Sequence, residues 1–156
     1  MHVAATGADA VVMAAAVADF RPAAVSDRKI KKTDDPSQVP SVALERTADV
    51  LVELVRRRAP GQVVVGFAAE TGDSSGDVLT LARAKLARKG CDLLVVNDVS
   101  GGAVFGQRHN AVTVLDAGGG VHPVPEGSKE EVADAVWDAV AMLWTRGKDH
   151  ARPPVE

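Results

Sequence analysis

The sequence contains no tyrosine, and its three phenylalanines and two tryptophans bring the aromatic content to only 3% of 156 residues. Single-strand nucleic-acid binders stack bases on aromatic platforms, so that class is hard to build from this chain. An excess of one charge is missing too: 18 Lys plus Arg face 21 Asp plus Glu, for a formal net charge of -3. A general polyphosphate-backbone binder such as a DNA-binding domain is therefore disfavoured, and any nucleotide contact has to come from local basic clusters. The one cysteine, Cys91, has no partner for an internal disulfide. His2, His109, His122 and His150 show no metal-ligand spacing with it or with one another. The expectation is a reduced, cytoplasmic protein without a structural metal. No window approaches the roughly 18 continuous apolar residues of a membrane span, and the N-terminus lacks the basic-then-apolar pattern of an export signal. Neither a nucleic acid nor a membrane is expected as a partner. Both standard Gly-rich phosphate cradles, G-x-x-x-x-G-K-[ST] and G-x-G-x-x-G, are absent, so a nucleotide would be held by other means.

What is present is an average globular composition, 46% hydrophobic and 25% charged, on a length suited to one domain. That domain is expected over residues 1–146, with 147–156 as a frayed tail. Ala10 to Met13, continuing into Ala14-Ala15-Ala16-Val17, reads as a buried strand that ends in a polar loop at Asp19. Residues 26–40 are polar and carry Arg28-Lys29-Ile30-Lys31-Lys32, which predicts a long mobile loop. Ser41 to Leu44 reads as a short strand. Thr47 looks like the N-cap of a helix with Val50, Leu51, Leu54 and Val55 on its apolar side, ended by Pro60-Gly61. The continuous runs Val63 to Ala69 and Cys91 to Val96 read as strands covered on both faces. Between them a helix from about Asp77 to Lys89 turns Val78, Leu79, Ala82 and Leu86 inward and is capped by Gly90. A hairpin follows, Ala111 to Leu115 and Val121 to Val124 around Gly118-Gly119-Gly120. Ser128-Lys129-Glu130-Glu131 is a capping box opening a helix with Val132, Ala135, Val136, Val140 and Leu143 on one side. This order predicts an α/β fold: a Rossmann-like three-layer sandwich with a mostly parallel sheet and an antiparallel edge hairpin. The chain enters its first strand within about ten residues, so the first βα unit of such a fold is expected to be lacking.

Open α/β sheets bind ligands at the carboxyl ends of their strands, which directs attention to a few residues, each with a plainer reading. Asp19 can accept hydrogen bonds from a base or ribose, or simply shape a turn. The lysine cluster can close over a polyphosphate, or be a solvated loop. The helix start at Thr47-Ala48-Asp49-Val50 offers backbone N–H groups to a phosphate, although Asp49 there also satisfies the helix dipole by itself. Lys85 and Lys89 share a partly buried stripe with Val78 and Ala82, or compensate the dipole at the helix C-terminus. They stand roughly 12 to 18 Å along that helix from its start, which strains any shared role with strand ends. Asn97-Asp98 closes a strand as a site or as a turn. Gly72 to Gly76 reads as a capping loop, and Cys91 as an inert small hydrophobe.

Taken together, Ala14 to Pro22, Lys29 to Lys32, Gly66-Phe67-Ala68-Ala69-Glu70-Thr71, Lys85 to Lys89 and Val96-Asn97-Asp98-Val99 resemble the bacterial phosphopantothenoylcysteine synthetases. These are the phosphopantothenate-cysteine ligases of coenzyme A biosynthesis. The resemblance runs in order from about Ala10 to Trp144. It implies a CTP-dependent ligase: the carboxylate of 4'-phosphopantothenate attacks the α-phosphate of CTP, pyrophosphate leaves, and the amine of cysteine displaces CMP from the acyl-cytidylate. It further implies Mg2+ with the triphosphate, and CTP against Met13, Ala14, Ala15 and Asp19, against Ala48, Asp49, Val50 and Leu51, and against Phe67, Lys85 and Lys89. Lys29 would both contact CTP and act catalytically. A homodimer is implied, as is a flavin-dependent decarboxylase domain elsewhere in a full-length protein, with no FMN on this chain. The family's upstream Gly-rich turn and Asn-x-Ser-Ser-Gly-Lys segment do not occur in this sequence. The alternative expectation is therefore a noncatalytic nucleotide-binding and dimerisation module.

Overall fold

The computed structural model describes residues 2–30, 39–72, 76–99 and 109–150. Lys31, Lys32, the greater part of the Gly72 to Gly76 connection, the Gly101 to Gly106 loop and residues 151–156 lie outside the described residues. The chain forms two compact units, one of residues 1–14 with 51–156 and one of residues 15–50.

In chain order the elements are α1 (His2–Ala5), β1 (Ala10–Val12), β2 (Phe20–Pro22), β3 (Leu44–Arg46), α2 (Val50–Arg57), β4 (Val63–Glu70), α3 (Val78–Lys89), β5 (Leu93–Asp98), β6 (His109–Asp116), β7 (Val121–Ser128) and α4 (Lys129–His150). The larger unit is built on a five-stranded sheet of order β1-β4-β5-β6-β7. β1, β4 and β5 are parallel, and β6 and β7 run antiparallel at the edge. The apolar runs explain the centre: Val64, Val65, Leu93, Leu94 and Val95 are almost wholly buried, as strands sandwiched on both faces must be. β1, β4 and β5 step across the sheet in one direction, and right-handed crossovers then place α2 and α3 on the same face. Leu51 of α2 accordingly lies over Gly66 and Leu94, and Leu86 of α3 meets Cys91 and Leu115 around one cavity. The opposite face would be bare. It is covered by α4, whose Val132, Val136, Ala139 and Val140 pack on Val63, Val65, Leu93, Val95, Val112 and Val114. The result is the expected three-layer sandwich with an antiparallel edge hairpin.

Local chemistry sets the helix ends. Asp77 caps α3 by accepting from the Thr80 N–H at 2.7 Å, and Gly90 ends it at φ +70 with its N–H on the Leu86 carbonyl. Only a residue free of a Cβ adopts that left-handed conformation cheaply. The capping box at α4 is complete: Ser128 N–H donates to Glu131 Oε2 at 2.7 Å, and Glu131 N–H donates to Ser128 Oγ at 3.2 Å. α4 then continues through Gly147 to His150. In the β6–β7 turn, Asp116 accepts from Gly120 N–H at 3.0 Å and pairs with His122 at 2.9 Å.

The smaller unit is a two-stranded antiparallel ribbon of β2 with β3. Arg21 pairs with Glu45 at 2.7 Å, and the Arg46 guanidinium sits 5.7 Å from the Phe20 ring centre. None of its described residues is buried; Val17, Phe20, Val25, Val42 and Leu44 are exposed.

Four sequence expectations are corrected by the structure. The first strand stops at Val12 instead of running to Val17: the Met13 N–H makes a last bond to the Val65 carbonyl, and Ala14 to Val17 are exposed and outside any strand. The Ser41 to Leu44 strand falls later, at Leu44–Arg46, because it pairs with β2, which the sequence did not betray. Thr47 is not an N-cap. Its hydroxyl donates to the Ala18 carbonyl and its N–H to the Asp19 carbonyl, both within the ribbon, and α2 starts at Val50. Leu79 faces solvent, while Ala82 and Leu86 carry the buried stripe of α3 with Leu81 half-buried.

Candidate functional site

The carboxyl ends of β1, β4 and β5 lie along one edge of the sheet, and the N-termini of the helices that cross between them open there, as alternation of parallel strand and helix requires. Parallel β4 outruns β1: the last β1–β4 pair is Val12 with Val65. Phe67, two residues further on, therefore loses a neighbour on that side and is 37% exposed. Met13 is buried just past the end of β1, and Ala14 after it is exposed.

Glu70 closes β4 opposite Asp98, the last residue of β5. Its side chain is 15% exposed and forms an ion pair with Lys85 of α3, itself 29% exposed. Lys85 starts about 10 Å along α3 from Val78 at roughly 1.5 Å per residue, and the distance predicts separation from the strand ends. Helical side chains lean back toward the N-terminus, however, and a lysine is long. The ammonium thus returns to the final residue of β4, which removes the tension. Lys89 sits one turn later beside the Gly90 cap, half-buried, at the end of α3 that leads into β5. Asn97 turns its Oδ1 to the Asn110 amide at 2.7 Å, so it ties β5 to β6 at this edge.

The start of α2 presents Leu51 only through its backbone, because the side chain is buried against Gly66. Within the ribbon unit, Ala15, Asp19, Lys29, Ala48 and Asp49 are exposed and Val50 is half-buried. The Asp19 carbonyl accepts the Thr47 N–H at 3.0 Å, so its backbone is used structurally while its carboxylate remains at the surface. Cys91 is 1% exposed and burial pushes its thiol up from the ordinary value, which fits an inert core residue. Among the described residues no three His, Cys, Asp or Glu side chains gather as a metal cage, and no helix is long and apolar enough to cross a membrane. The residue that sequence reasoning passed over is Glu70. It stood in the sequence only within the Gly66 to Thr71 segment and as the polar end of an apolar run, with nothing in the spacing to pair it with Lys85.

These features define an α/β sandwich whose parallel strands end along one edge, where a half-buried ion pair and an exposed phenylalanine lie. The chain belongs to the family described as the DNA/pantothenate metabolism flavoprotein C-terminal domain, which matches residues 1–143. It is 51% identical over 142 residues to the coenzyme A biosynthesis bifunctional protein CoaBC of Mycolicibacterium smegmatis, a match covering 87% of this chain and 34% of that protein. The chain thus spans about a third of the length of the curated relatives it matches. The crystal structure of a CoaBC C-terminal domain is similar with a TM-score of 0.67 and 30% identity, over 93% of this chain and 59% of that one. A Cab2 mutant solved in complex with phosphopantothenate-cysteine shares the fold, with a TM-score of 0.63 and 23% identity over 90% of this chain and 45% of its own.

Proposed function

We propose that this chain carries the CTP-binding part of a phosphopantothenate-cysteine ligase of coenzyme A biosynthesis, acting in the cytoplasm. The observation that carries the reading is the Lys85 ammonium held at the carboxyl edge of β4, in a chain half identical to a coenzyme A biosynthesis protein. In the proposed reaction the carboxylate of 4'-phosphopantothenate attacks the α-phosphate of CTP and pyrophosphate departs. The amine of cysteine then attacks the acyl carbon, forming the amide and releasing CMP. In the larger unit, Met13 and Ala14, the backbone of Leu51, Phe67, Lys85 and Lys89 would contact CTP. The resemblance also assigns Ala15, Asp19, Ala48, Asp49 and Val50 to CTP, and gives Lys29 the charge developing on the reacting phosphate.

Mg2+ would travel with the triphosphate. A magnesium ion of this kind would be held mostly by phosphate oxygens and water, with one or two carboxylates. A homodimer is part of the proposal, its partner covering the exposed Val17, Phe20, Val42 and Leu44 of the ribbon. Calorimetric titration of the chain with CTP and with ATP, each with Mg2+, tests the reading: CTP is expected to bind more tightly, and equal or tighter ATP binding overturns it.

A further inference from the structure

We propose that the cavity at the opposite edge of the sheet, where the parallel strands begin, is a second ligand site for a small monocarboxylate with a compact apolar body, its carboxylate held by Arg58 and Arg83. The cavity has a volume of about 460 Å³, within the range that binds small organic molecules. It lies between the C-terminal half of α3, the Cys91 entry to β5 and the β6–β7 turn. β5 runs from Leu93 to Asp98, so at about 3.3 Å per residue the cavity stands roughly 17 Å from the strand ends of the proposed nucleotide site. The inference goes beyond the nucleotide reading and does not rest on it.

The lining says which chemistry fits. Leu86, Cys91 and Leu115 are buried and give the cavity an apolar floor, on which an apolar body gains by leaving water. Arg58 is fixed in place: its Nη1 donates to both carboxylate oxygens of Asp92 at 2.8 Å, and Asp92 also accepts the Val64 N–H at 2.8 Å. A guanidinium carries five N–H donors, and those on Nε and Nη2 of Arg58 have no partner among the described residues. Arg83 of α3 feels the charge of Asp77 along the helix, yet it is exposed and makes no hydrogen bond or ion pair among the described residues. The acids of the lining are engaged, Asp92 by Arg58 and Asp116 by the Gly120 N–H and His122. Open donors therefore face an apolar floor, and a carboxylate supplies the two oxygens that a guanidinium fork matches. The same two aspartates disfavour a phosphate, since a dianion meets twice the repulsion of a monoanion at equal distance.

The test is titration of the isotope-labelled chain with 2-naphthoate, followed by amide NMR shifts. The amides of Gly90, Ala117 and Gly120 are expected to shift and saturate with a dissociation constant of about 1 mM or tighter, the scale for a ligand of this size. No saturable shift at those amides overturns the proposal. On the same parent chain, uncharged 2-naphthamide is expected to bind about tenfold more weakly or worse, the scale of one charge-assisted hydrogen bond. An amide that binds as tightly as the carboxylate overturns the assignment of the arginines. Arg83→Gln, a change at an exposed position, is expected to weaken 2-naphthoate by about tenfold and to leave 2-naphthamide within about threefold. Ala87→Trp, which puts an indole at the cavity wall, is expected to abolish binding of both. Unchanged 2-naphthoate affinity in either variant overturns the proposal.

Discussion

Gly66 makes the contact of α2 with the sheet possible, and replacing it with alanine is predicted to change sign with the residue above it. A Cβ at position 66 would stand 2.6 Å from Leu51 Cδ2, 3.2 Å from Leu94 Cδ1 and 3.4 Å from Cys91 Sγ. Ordinary carbon contacts lie near 3.5 to 4.0 Å, so the Leu51 methyl must retreat by about 1 Å. Leu51 is only 9% exposed and Leu94 fully buried, which leaves that methyl little free space. Overpacking of this kind costs about 1–3 kcal/mol, and alanine recovers roughly 0.5–1 kcal/mol by restricting the unfolded chain relative to glycine. Gly66→Ala should therefore destabilise the protein by about 1–2 kcal/mol, lowering Tm by roughly 2–8 °C at this chain length. In a Leu51→Ala background, itself about 2–5 kcal/mol less stable, the clashing methyl is gone and a cavity takes its place. There Gly66→Ala should be neutral or stabilising by up to about 1 kcal/mol. Urea unfolding of the four proteins of this cycle measures the coupling. An equal cost of Gly66→Ala in both backgrounds, or no cost in the parent, would refute the reasoning.

The hydrogen bond from His122, helped by the Gly120 N–H, holds the Asp116 carboxyl below its ordinary value of 3.8. A carboxyl depressed in the folded state stabilises fully above its unfolded value and loses that contribution as pH falls through the folded one, so the urea midpoints of the parent and Asp116→Asn should converge as pH drops below about 4. A stability difference unchanged down to about pH 2 would contradict the assignment. For the ligase reading, Lys29→Gln in a full-length protein is expected to slow pyrophosphate release by roughly 100-fold while CTP affinity changes less than about tenfold, since the lysine is assigned to charge that develops in the transition state. Lys32→Gln is the comparison, and release within about threefold of the parent in both variants would make the loop a solvated charge run.

Some features depend on neighbours a few residues apart, and these are legible in the amino-acid order itself. Ser128 and Glu131 satisfy each other across one helical turn, and Gly90 ends α3 because the chain there needs φ +70. The buried runs around Val64 and Leu94 could only be strands covered on both faces, and their alternation with helices implies the parallel sheet. Contacts between distant segments are not legible in that order. β2 and β3 are three residues each, exposed throughout, and lack the alternation that marks a strand; only pairing across the chain, Phe20 with Arg46, makes them one. Thr47 has the residue type of an N-cap, yet the Ala18 carbonyl takes its hydroxyl, because a side chain follows whichever acceptor the fold brings near. The candidate site divides in the same way. Its location follows from the sequence, since ligands collect where parallel strands end. That Lys85 reaches Glu70 is decided by tertiary structure alone: it depends on the lean of a long side chain and on β4 ending beside α3, and residue spacing encodes neither.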